Sequence, residues 1–422
     1  MKVFKFGGAS MKSSDAIVNV GNLVQKFEHD PLILVVSAMG KTTNALEAIL
    51  HSLQTQNEAN YFHQVEELKA FHMLIAGGLF REKQHKVFQR IEKTFDELQD
   101  RFTQSISDHP GFEYDQIISI GEYLSANILT EYLIELGMPC EWMDARQLVR
   151  TDHHYQEANV KWDKTEMLIQ NKIKAIEHRS NIFVTQGFIG HTAEGFTTTL
   201  GREGSDYSAA IFAYCTNAES VTIWKDVPGM LNADPKYFEK TKLLPIISYK
   251  EAIELAYFGA SVIHPKTIKP LQNKNIPLYV KGFLAPEAPG TTIQEEGDRD
   301  HLIPSFIVKK NQTLISISAT DFSFINEDAL AKIFDIFYTA RIKINLMQNS
   351  ALNFSTLVDA DKVEIDKLIL RLSPNYKCKY NTPVELVTIR HYDDHTIRQI
   401  TRDKEILIAQ RSRQTARFVL RG

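Results

Sequence analysis

The chain has 422 residues, of which 43% are hydrophobic and 24% charged, and its formal net charge is -4. This length exceeds one typical domain, so two or three domains are expected. The slightly acidic balance provides no overall positive field of the kind that binds nucleic acid, and it favours small-molecule chemistry.

Cysteine content and the N-terminus indicate the compartment. Cys140, Cys215 and Cys378 lie far apart, so neither a zinc knuckle nor a disulfide framework is indicated. The N-terminus lacks the apolar core of a signal peptide, and no apolar run approaches the ~20 residues of a membrane-spanning helix. We therefore expect a cytoplasmic protein with no membrane partner.

Short apolar or β-branched runs that end in polar or turn residues alternate with longer stretches of helical spacing. The predicted strands are 3–6, 32–36, 117–120, 182–185, 221–224 and 276–280, and the helices include 45–53, 64–75, 123–136, 206–214 and 249–258. This alternation predicts an α/β fold with a mostly parallel sheet sandwiched by helices. Ligands bind such sheets at the carboxyl ends of the strands.

A second pattern follows residues 285–300, a stretch rich in Pro, Gly and acids that we interpret as a linker. Strand 314–318, helix 327–339, strands 344–348 and 354–358, helix 363–372 and strand 377–380 follow in the order of a ferredoxin-like unit. Strands at 385–389, 405–410 and 416–420, with little helix beyond a turn near 395–400, suggest a shortened second copy. The predicted domains are therefore 1–298, 305–382 and 383–422.

Glycine-rich segments follow the first two strands. Gly7 and Gly8 let backbone N–H groups approach a phosphate, and Lys5 supplies a positive charge, although such a lysine is more often structural when it stands alone. The Gly-Lys-Thr that begins at Gly40 is not a P-loop, because that motif requires glycine where Val35 stands.

Side chains at later strand or helix ends are also candidates. Ser37 and Thr43 could contact a ligand or cap a helix. Arg202 is suited to clamp a carboxylate, and Asp206 could orient a lysine or a metal, or simply act as an N-cap. Glu122 could bind an ammonium group or cap the next helix.

Seven motifs together resemble the aspartate kinases of the amino-acid kinase superfamily. They are KFGGAS at 5–10, SAMGKTTN at 37–44, GEYLSA at 121–126, TQGFIG at 185–190, TTTLGREGSDYSAA at 197–210, WKDVPGMLNADP at 224–235 and FGASVIHP at 258–265. Their order and spacing match over roughly the first 300 residues, and the trailing ferredoxin-like unit resembles the ACT regulatory domain of that family.

The resemblance implies ATP-dependent phosphorylation of the L-aspartate side chain, the first step toward lysine, threonine and methionine. Catalytic residues would be Lys5 and Asp206, and the aspartate pocket would comprise Ser37, Thr43, Glu122, Phe188, Arg202 and Ser205. Residues around ATP would be Lys5, Gly7, Gly8, Ser10, Lys225, Asp226, Asn232, Asp234 and Lys236. Mg²⁺ is expected as a cofactor, with no residue assigned as its ligand, and a homodimer through the ACT region is implied.

Three departures from the family pattern bear on activity and control. Ser261 stands where many relatives carry lysine, so Lys266 or another residue would supply that nucleotide contact. Glu203 interrupts the usual pair of glycines. Lysine-inhibited relatives carry Ser-Val-Asp and Thr-Ser-Glu where this chain has residues 343–345 and 349–351, Lys-Ile-Asn and Asn-Ser-Ala, so we expect weak or absent inhibition by lysine.

Two other functions stay open from the residues. One is a kinase for another amino acid, because one fold hosts several substrates. The other is a catalytically silent, ACT-bearing amino-acid sensor, for which Ser261 and Glu203 are the support. Retention of Lys5, Arg202 and Asp206 argues for catalysis.

Overall fold

A computed structural model describes residues 1–260, 263–296, 300, 303–321 and 323–421. These residues form two compact units. The first comprises 1–230, 243–257 and the described part of 261–299, and the second comprises 231–242, 258–260 and the described part of 300–422.

Among the described residues, ten strands and eleven α-helices belong to the first unit, with the last residue of α10, Phe258, falling in the second. The strands are β1 (Lys2–Phe6), β2 (Leu32–Val36), β3 (Cys140–Met143), β4 (Ile182–Gln186), β5 (Ile189–His191), β6 (Thr197–Thr199), β7 (Ser220–Lys225), β8 (Ile246–Ser248), β9 (Leu278–Gly282) and β10 (Thr291–Gln294). The helices are α1 (Ser14–Gln25), α2 (Thr42–Gln54), α3 (Glu58–Leu79), α4 (Lys86–Asp100), α5 (Pro110–Ile118), α6 (Ile120–Glu135), α7 (Ala145–Leu148), α8 (Trp162–Ile176), α9 (Gly204–Thr216), α10 (Tyr249–Phe258) and α11 (Pro265–Asn273).

The main sheet has the strand order β3-β4-β2-β1-β7-β9-β10-β8, and β5 pairs with β6 in a separate ribbon. All neighbours in the main sheet are parallel except β9 and β10. Every residue of β2 and β4 is buried, as expected for parallel strands covered on both faces. The predicted mostly parallel α/β architecture is confirmed.

Two local predictions are wrong. Residues 117–120, predicted as a strand, lie at the junction of α5 and α6, because a short buried apolar run has the same pattern in a helix and in a strand. The predicted linker 285–300 contains β10, which pairs with both β8 and β9. Its β-branched residues Thr291 to Ile293 favour a strand over the turn that the preceding Pro and Gly indicate.

Six strands and three α-helices belong to the second unit. They are β11 (Ser305–Ala319), α12 (Glu327–Thr339), β12 (Leu346–Asn349), β13 (Asn353–Asp359), α13 (Ile365–Leu372), β14 (Tyr376–Arg390), α14 (Asp394–Thr401), β15 (Glu405–Arg411) and β16 (Thr415–Arg421). Their antiparallel sheet has the order β12-β13-β11-β14-β16-β15. The expected ferredoxin-like order is confirmed from β11 to β14.

The C-terminal stretch keeps one helix where the sequence indicated only a turn. α14 begins with a capping box in which Asp393 and Thr396 bond each other's backbone N–H groups. Strand β14 runs continuously through the predicted domain boundary between residues 382 and 383. The ferredoxin-like unit and its shortened second copy, as predicted, would therefore share this strand. None of the helices in the described ranges combines the length and apolarity that crossing a bilayer requires.

Candidate active site

The carboxyl ends of four parallel strands meet at one edge of the main sheet. Phe6 lies opposite Val36 on one side and Trp224 on the other, and Val36 lies opposite Gln186. The residues that follow these strand ends therefore face the same space, which is where an α/β sheet binds its ligands.

Two of these strand ends are joined by close backbone packing. A Cβ atom on Gly8 would lie 2.9 Å from the carbonyl oxygen of Gly40 and 3.0 Å from that of Ala38, so only glycine fits there. The Gly40 N–H donates to the carbonyl of Gly8 at 3.1 Å. The loops after β1 and β2 consequently form one surface.

Asp206 joins two lysines at the centre of this edge. Its Oδ1 atom lies 2.5 Å from Nζ of Lys5, and its Oδ2 atom lies 3.4 Å from Nζ of Lys225. Burial favours a raised pKa for Asp206, but Lys5 and Lys225 outweigh it and hold the pKa below its ordinary value. The cluster therefore carries a net positive charge, which suits an anionic ligand.

Helix α9 presents its N-terminus to the loop that follows β4. A Cβ atom on Gly187 would lie 2.6 Å from the Cβ of Ser205, and one on Gly204 would lie 2.6 Å from Cδ2 of Phe188. The N–H of Phe188 donates to Oγ of Ser208 at 2.9 Å. These contacts hold Phe188 and Ser205 together beside an N-terminus that attracts anions.

Glu203 precedes α9 in a left-handed conformation, with φ of +53°. For a non-glycine residue this backbone conformation costs roughly 1 to 2 kcal/mol. Its Oε2 atom is buried and receives no hydrogen bond from the described residues. Burial raises the pKa of Glu203, as does Asp206, whereas Lys225, Arg202 and Lys5 lower it.

Glu122 lies in the first turn of α6 and is only 4% exposed. Within the described part of the chain no hydrogen bond reaches its Oε2 atom. Burial raises the pKa of Glu122 to about 8, although backbone N–H groups and Lys5 act in the opposite direction. A buried carboxyl group with an unused oxygen is suited to a cationic partner that arrives with a ligand.

One cavity of about 670 Å³ collects these groups. Its wall includes all six residues predicted for the aspartate pocket, together with three charged residues of the centre: Ser37, Thr43, Glu122, Phe188, Arg202, Ser205, Lys5, Asp206 and Lys225. The residues come from β1, β7, α2, α6, α9 and the intervening loops, so the tertiary structure brings together positions up to 220 residues apart.

Other predicted ATP-site residues lie elsewhere. Gly7, Gly8 and Ser10 belong to the turn after β1, and Asp226 is an exposed residue that directly follows β7, next to Lys225 of the cavity wall. Asn232, Asp234 and Lys236 belong to the second compact unit, so their place around ATP stays a prediction. Ser261 lies outside the described residues.

The prediction from sequence did not assign six residues of the cavity wall: Gly201, Glu203 and Gly204 lie within a quoted motif, whereas Tyr114, Gln156 and Glu157 lie outside all of the motifs. It also missed the buried Asp115, which accepts hydrogen bonds from the N–H of Gln156 at 3.1 Å and of Thr199 at 2.9 Å. Asp115 thereby ties the loop at Gln156 to the strand β6 that leads toward Arg202. No local motif marks Asp115 or Gln156, because their partners are about 40 or 80 positions distant.

The cavity can hold a small zwitterion beside a polyanion. By charge, Glu122 is suited to an ammonium group, Arg202 to a carboxylate, and the Lys5–Asp206–Lys225 cluster to phosphate. Because anionic and cationic side chains line the same cavity, the arrangement is suited to the transfer of a charged group between two ligands held side by side.

Comparison with known proteins identifies the family of the chain. The model of the "Amino acid kinase family" matches residues 1–282. The chain is 33% identical over 327 residues to the maize chloroplastic bifunctional aspartokinase/homoserine dehydrogenase 2, which covers 75% of this chain but 35% of that protein. This chain therefore spans about a third of the length of that bifunctional relative.

Two further relatives match most of the chain. Chloroplastic aspartokinase 2 of Arabidopsis thaliana is 30% identical, over 88% of this chain and 68% of its own. The crystal structure of E. coli aspartokinase III in complex with aspartate and ADP is 26% identical with a TM-score of 0.81, over 100% of this chain and 96% of its own. With the family model covering the whole strand-end site, the chain belongs to the amino acid kinase family.

Proposed function

We propose that the chain is an aspartate kinase, which transfers the γ-phosphate of ATP to the side-chain carboxylate of L-aspartate and forms 4-phospho-L-aspartate. The observation that carries this proposal is the joint presence of Glu122, Arg202 and the Lys5–Asp206–Lys225 cluster in one cavity. The similarity to aspartokinases over most of the chain supports it.

Recognition of aspartate follows from the charges of the cavity. Arg202 pairs with the α-carboxylate and Glu122 with the α-ammonium, which leaves the β-carboxylate directed toward the phosphate. Each charge-assisted contact is worth roughly 1.5 to 3 kcal/mol. Binding both charged groups of the backbone selects an amino-acid zwitterion over a simple carboxylate.

The transfer step needs positioning and charge neutralisation. An oxygen of the β-carboxylate attacks the γ-phosphorus while the bond from that phosphorus to the bridging oxygen of ADP breaks, and ADP leaves with the electron pair. The attacking carboxylate is already an anion, so no general base is required. Lys5 and Lys225 stabilise the charge on the phosphoryl oxygens, and Asp206 holds both ammonium groups in place.

Mg²⁺ fits this site only as an ion that arrives with the nucleotide. Among the described residues no group of three or more His, Cys, Asp or Glu side chains could hold a metal ion. Mg²⁺ commonly binds one or two carboxylates in addition to phosphate oxygens and water. In the candidate active site, Oε2 of Glu203 is buried and accepts no hydrogen bond from the described residues. Glu203 would hold the ion, which when bound neutralises phosphate charge.

A hydroxylamine trap tests the proposed function. Full-length protein is incubated with ATP, Mg²⁺, hydroxylamine and aspartate, and separately with glutamate. We expect aspartyl hydroxamate, because hydroxylamine attacks the acyl phosphate, and little glutamyl product. A product from glutamate alone would identify a kinase for another amino acid, and no product from either would favour the amino-acid sensor.

The affinity for aspartate should depend on the protonation of Glu122. Because burial raises the pKa of Glu122 to about 8, the carboxyl group is mostly protonated at pH 7, and binding of an ammonium group must release that proton. We expect KM for aspartate to fall as the pH rises from about 6 toward 8, by at most about tenfold per pH unit, and then to level off. Steady-state kinetics across this range would measure the slope.

The control for this prediction is Glu122→Gln, which keeps the shape but cannot ionise. Its KM for aspartate should be higher than that of the wild type at pH 8 and nearly independent of pH. The free energy of unfolding provides a second check: a raised pKa in the folded state stabilises the fold below about pH 4.5, and that contribution is lost as the pH rises through about 8. A pH-independent KM in the wild type would contradict the assignment of Glu122.

Inhibition by lysine should be weak or absent. The side chain of Asn345, in the segment where lysine-inhibited relatives carry an aspartate, already accepts a hydrogen bond from Nζ of Lys309 at 2.9 Å and donates to Gln312 and Asp359, both at 2.8 Å. A second ammonium group would meet a neutral amide that already binds one cation, while Oδ1 of the neighbouring Asp359 already accepts hydrogen bonds from Asn345 and Gln312. Inhibition by lysine below millimolar concentration would overturn this inference.

A homodimer through the second unit is also proposed. In the described sheet β13 is the one strand that pairs with β12, and the carbonyl of Met347 on β12 also accepts a hydrogen bond from Nε2 of Gln410 at 2.7 Å. Met347 on this short strand is 54% exposed. Pairing of the two β12 strands of a dimer around a two-fold axis would join backbone groups of both copies, and analytical ultracentrifugation would measure the resulting mass.

A further inference from the structure

A second cavity of about 530 Å³ lies in the first unit, where α4, α5 and α6 approach β6. Four cationic side chains line it, Arg90, Lys93, Arg101 and Arg146, against one acidic side chain, Glu97. We call this space the arginine cavity. Its volume is in the range of small-molecule sites.

Buried acids hold two of these guanidinium groups in fixed positions. Nη2 of Arg101 lies 2.7 and 2.6 Å from the two carboxylate oxygens of Glu113, which is fully buried. Arg146 pairs with Asp144 through Nε at 3.0 Å and Nη2 at 2.7 Å. A guanidinium has five N–H donors and such pairs use only part of them, so both arginines are preorganised and keep donors for an additional anion.

Aromatic side chains form the rest of the wall. Phe196 is 46% exposed and packs edge-to-face on Phe112 with ring centroids 5.3 Å apart. The guanidinium of Arg146 lies over the ring of Tyr123 at 4.6 Å. The ion pairs with Arg101 and Arg146 account for the burial of Glu113 and Asp144, but they do not account for the exposure of the Phe196 ring. A flat aromatic ligand in the cavity would cover that ring.

The arginine cavity shares its walls with the candidate active site. Helix α5 contributes Gln116 to the arginine cavity and Tyr114 to the active site, and α6 contributes the neighbours Tyr123 and Glu122 in the same way. Nε2 of Gln116 also donates to the carbonyl of Thr197 on β6 at 2.9 Å. A ligand in the arginine cavity would therefore act on elements that position Glu122.

We propose that the arginine cavity is a second binding site, which takes a small aromatic acid. The arginines pair with its anionic group, and Phe112, Phe196 and Tyr123 surround its ring. The ligand binds there at the same time as the substrates in the active site, and through α5 and α6 it changes the affinity for aspartate, as aspartate changes the affinity for the ligand by the same factor.

The probe for this test is 8-anilinonaphthalene-1-sulfonate, an aromatic anion whose fluorescence rises in an apolar site. Full-length protein is titrated with the probe in the presence of saturating aspartate and ADP. We expect saturable binding of one probe per chain. Either Phe196→Ser or Lys93→Glu should raise the dissociation constant of the probe about tenfold, because each substitution removes roughly one good contact with it. The probe should also change KM for aspartate in the wild type.

Matched substitutions elsewhere serve as controls. Phe324→Ser removes another exposed phenylalanine, 71% exposed in the second unit, and Lys164→Glu reverses an exposed charge on α8. Both should leave probe binding unchanged. The proposal is overturned if the wild type shows no saturable binding, if aspartate and ADP displace the probe, or if the controls weaken binding as much as the cavity variants.

Discussion

Replacement of Lys5 by alanine should lower kcat by about a hundredfold to a thousandfold, with KM for aspartate changed only a few-fold. Removal of one preorganised donor to a developing anion typically has this effect, because its contribution is largest in the transition state. The ammonium group of Lys5 is 2.5 Å from Asp206 and largely buried, so water cannot replace it easily. A coupled assay for ADP would measure both constants.

Lys2 provides a matched control on the same strand. Its Nζ pairs with Oδ2 of Asp30 at 2.7 Å, and the side chains are 31% and 41% exposed. Lys2→Ala should therefore keep kcat near that of the wild type. A loss below about tenfold for Lys5→Ala in a variant with a wild-type circular dichroism spectrum would exclude Lys5 from the phosphoryl site.

The second large effect is expected from Arg202→Ala, which should raise KM for aspartate by about tenfold to a hundredfold with a smaller change in kcat. A charge-assisted hydrogen bond contributes roughly 1.5 to 3 kcal/mol, and about 1.4 kcal/mol corresponds to a factor of ten in affinity. The α-carboxylate keeps its charge during the transfer, so its pairing contributes similarly to the ground state and the transition state.

Arg202→Lys and Arg179→Ala refine this test. Lysine keeps the charge without the two-pronged geometry, so an intermediate KM is expected. Arg179 is an exposed arginine 3.6 Å from Glu141, and its removal should leave both constants unchanged. If Arg202→Ala lowered kcat and left KM unaltered, Arg202 would contact the phosphoryl group and not aspartate.

Lys5→Ala and Arg202→Ala separate phosphoryl transfer from aspartate binding when Lys5 and Arg202 act on ATP and aspartate in the same cavity. The cavity supports that condition, since Lys5 and Arg202 stand in one wall with Glu122. The Glu203 carboxylate, with its strained backbone, adds negative charge beside them. Strain of this kind is common at functional positions.

Some residues of the candidate active site could be predicted from the sequence more directly than others. Lys5, Ser37, Phe188 and Lys225 lie at or just after strands that their own β-branched runs predict, and parallel strands bring such ends to one edge. Glu122 was predicted to follow a strand, but it lies in the first turn of α6, directly after α5. Its place beside Arg202 in the cavity wall depends on how α6 packs in the whole fold, which the local sequence pattern cannot predict.

The sequence by itself determined the alternating architecture, the ferredoxin-like order after residue 305 and most of the charged groups of the cavity, because these follow from local periodicity and from short motifs. Only the tertiary structure decided that Asp206 bridges two lysines, that Asp115 ties the loop at Gln156 to β6, and that β10 joins the main sheet. Each of these depends on pairing between residues distant in the chain, and burial, which sets the pKa of Glu122, depends on the whole fold.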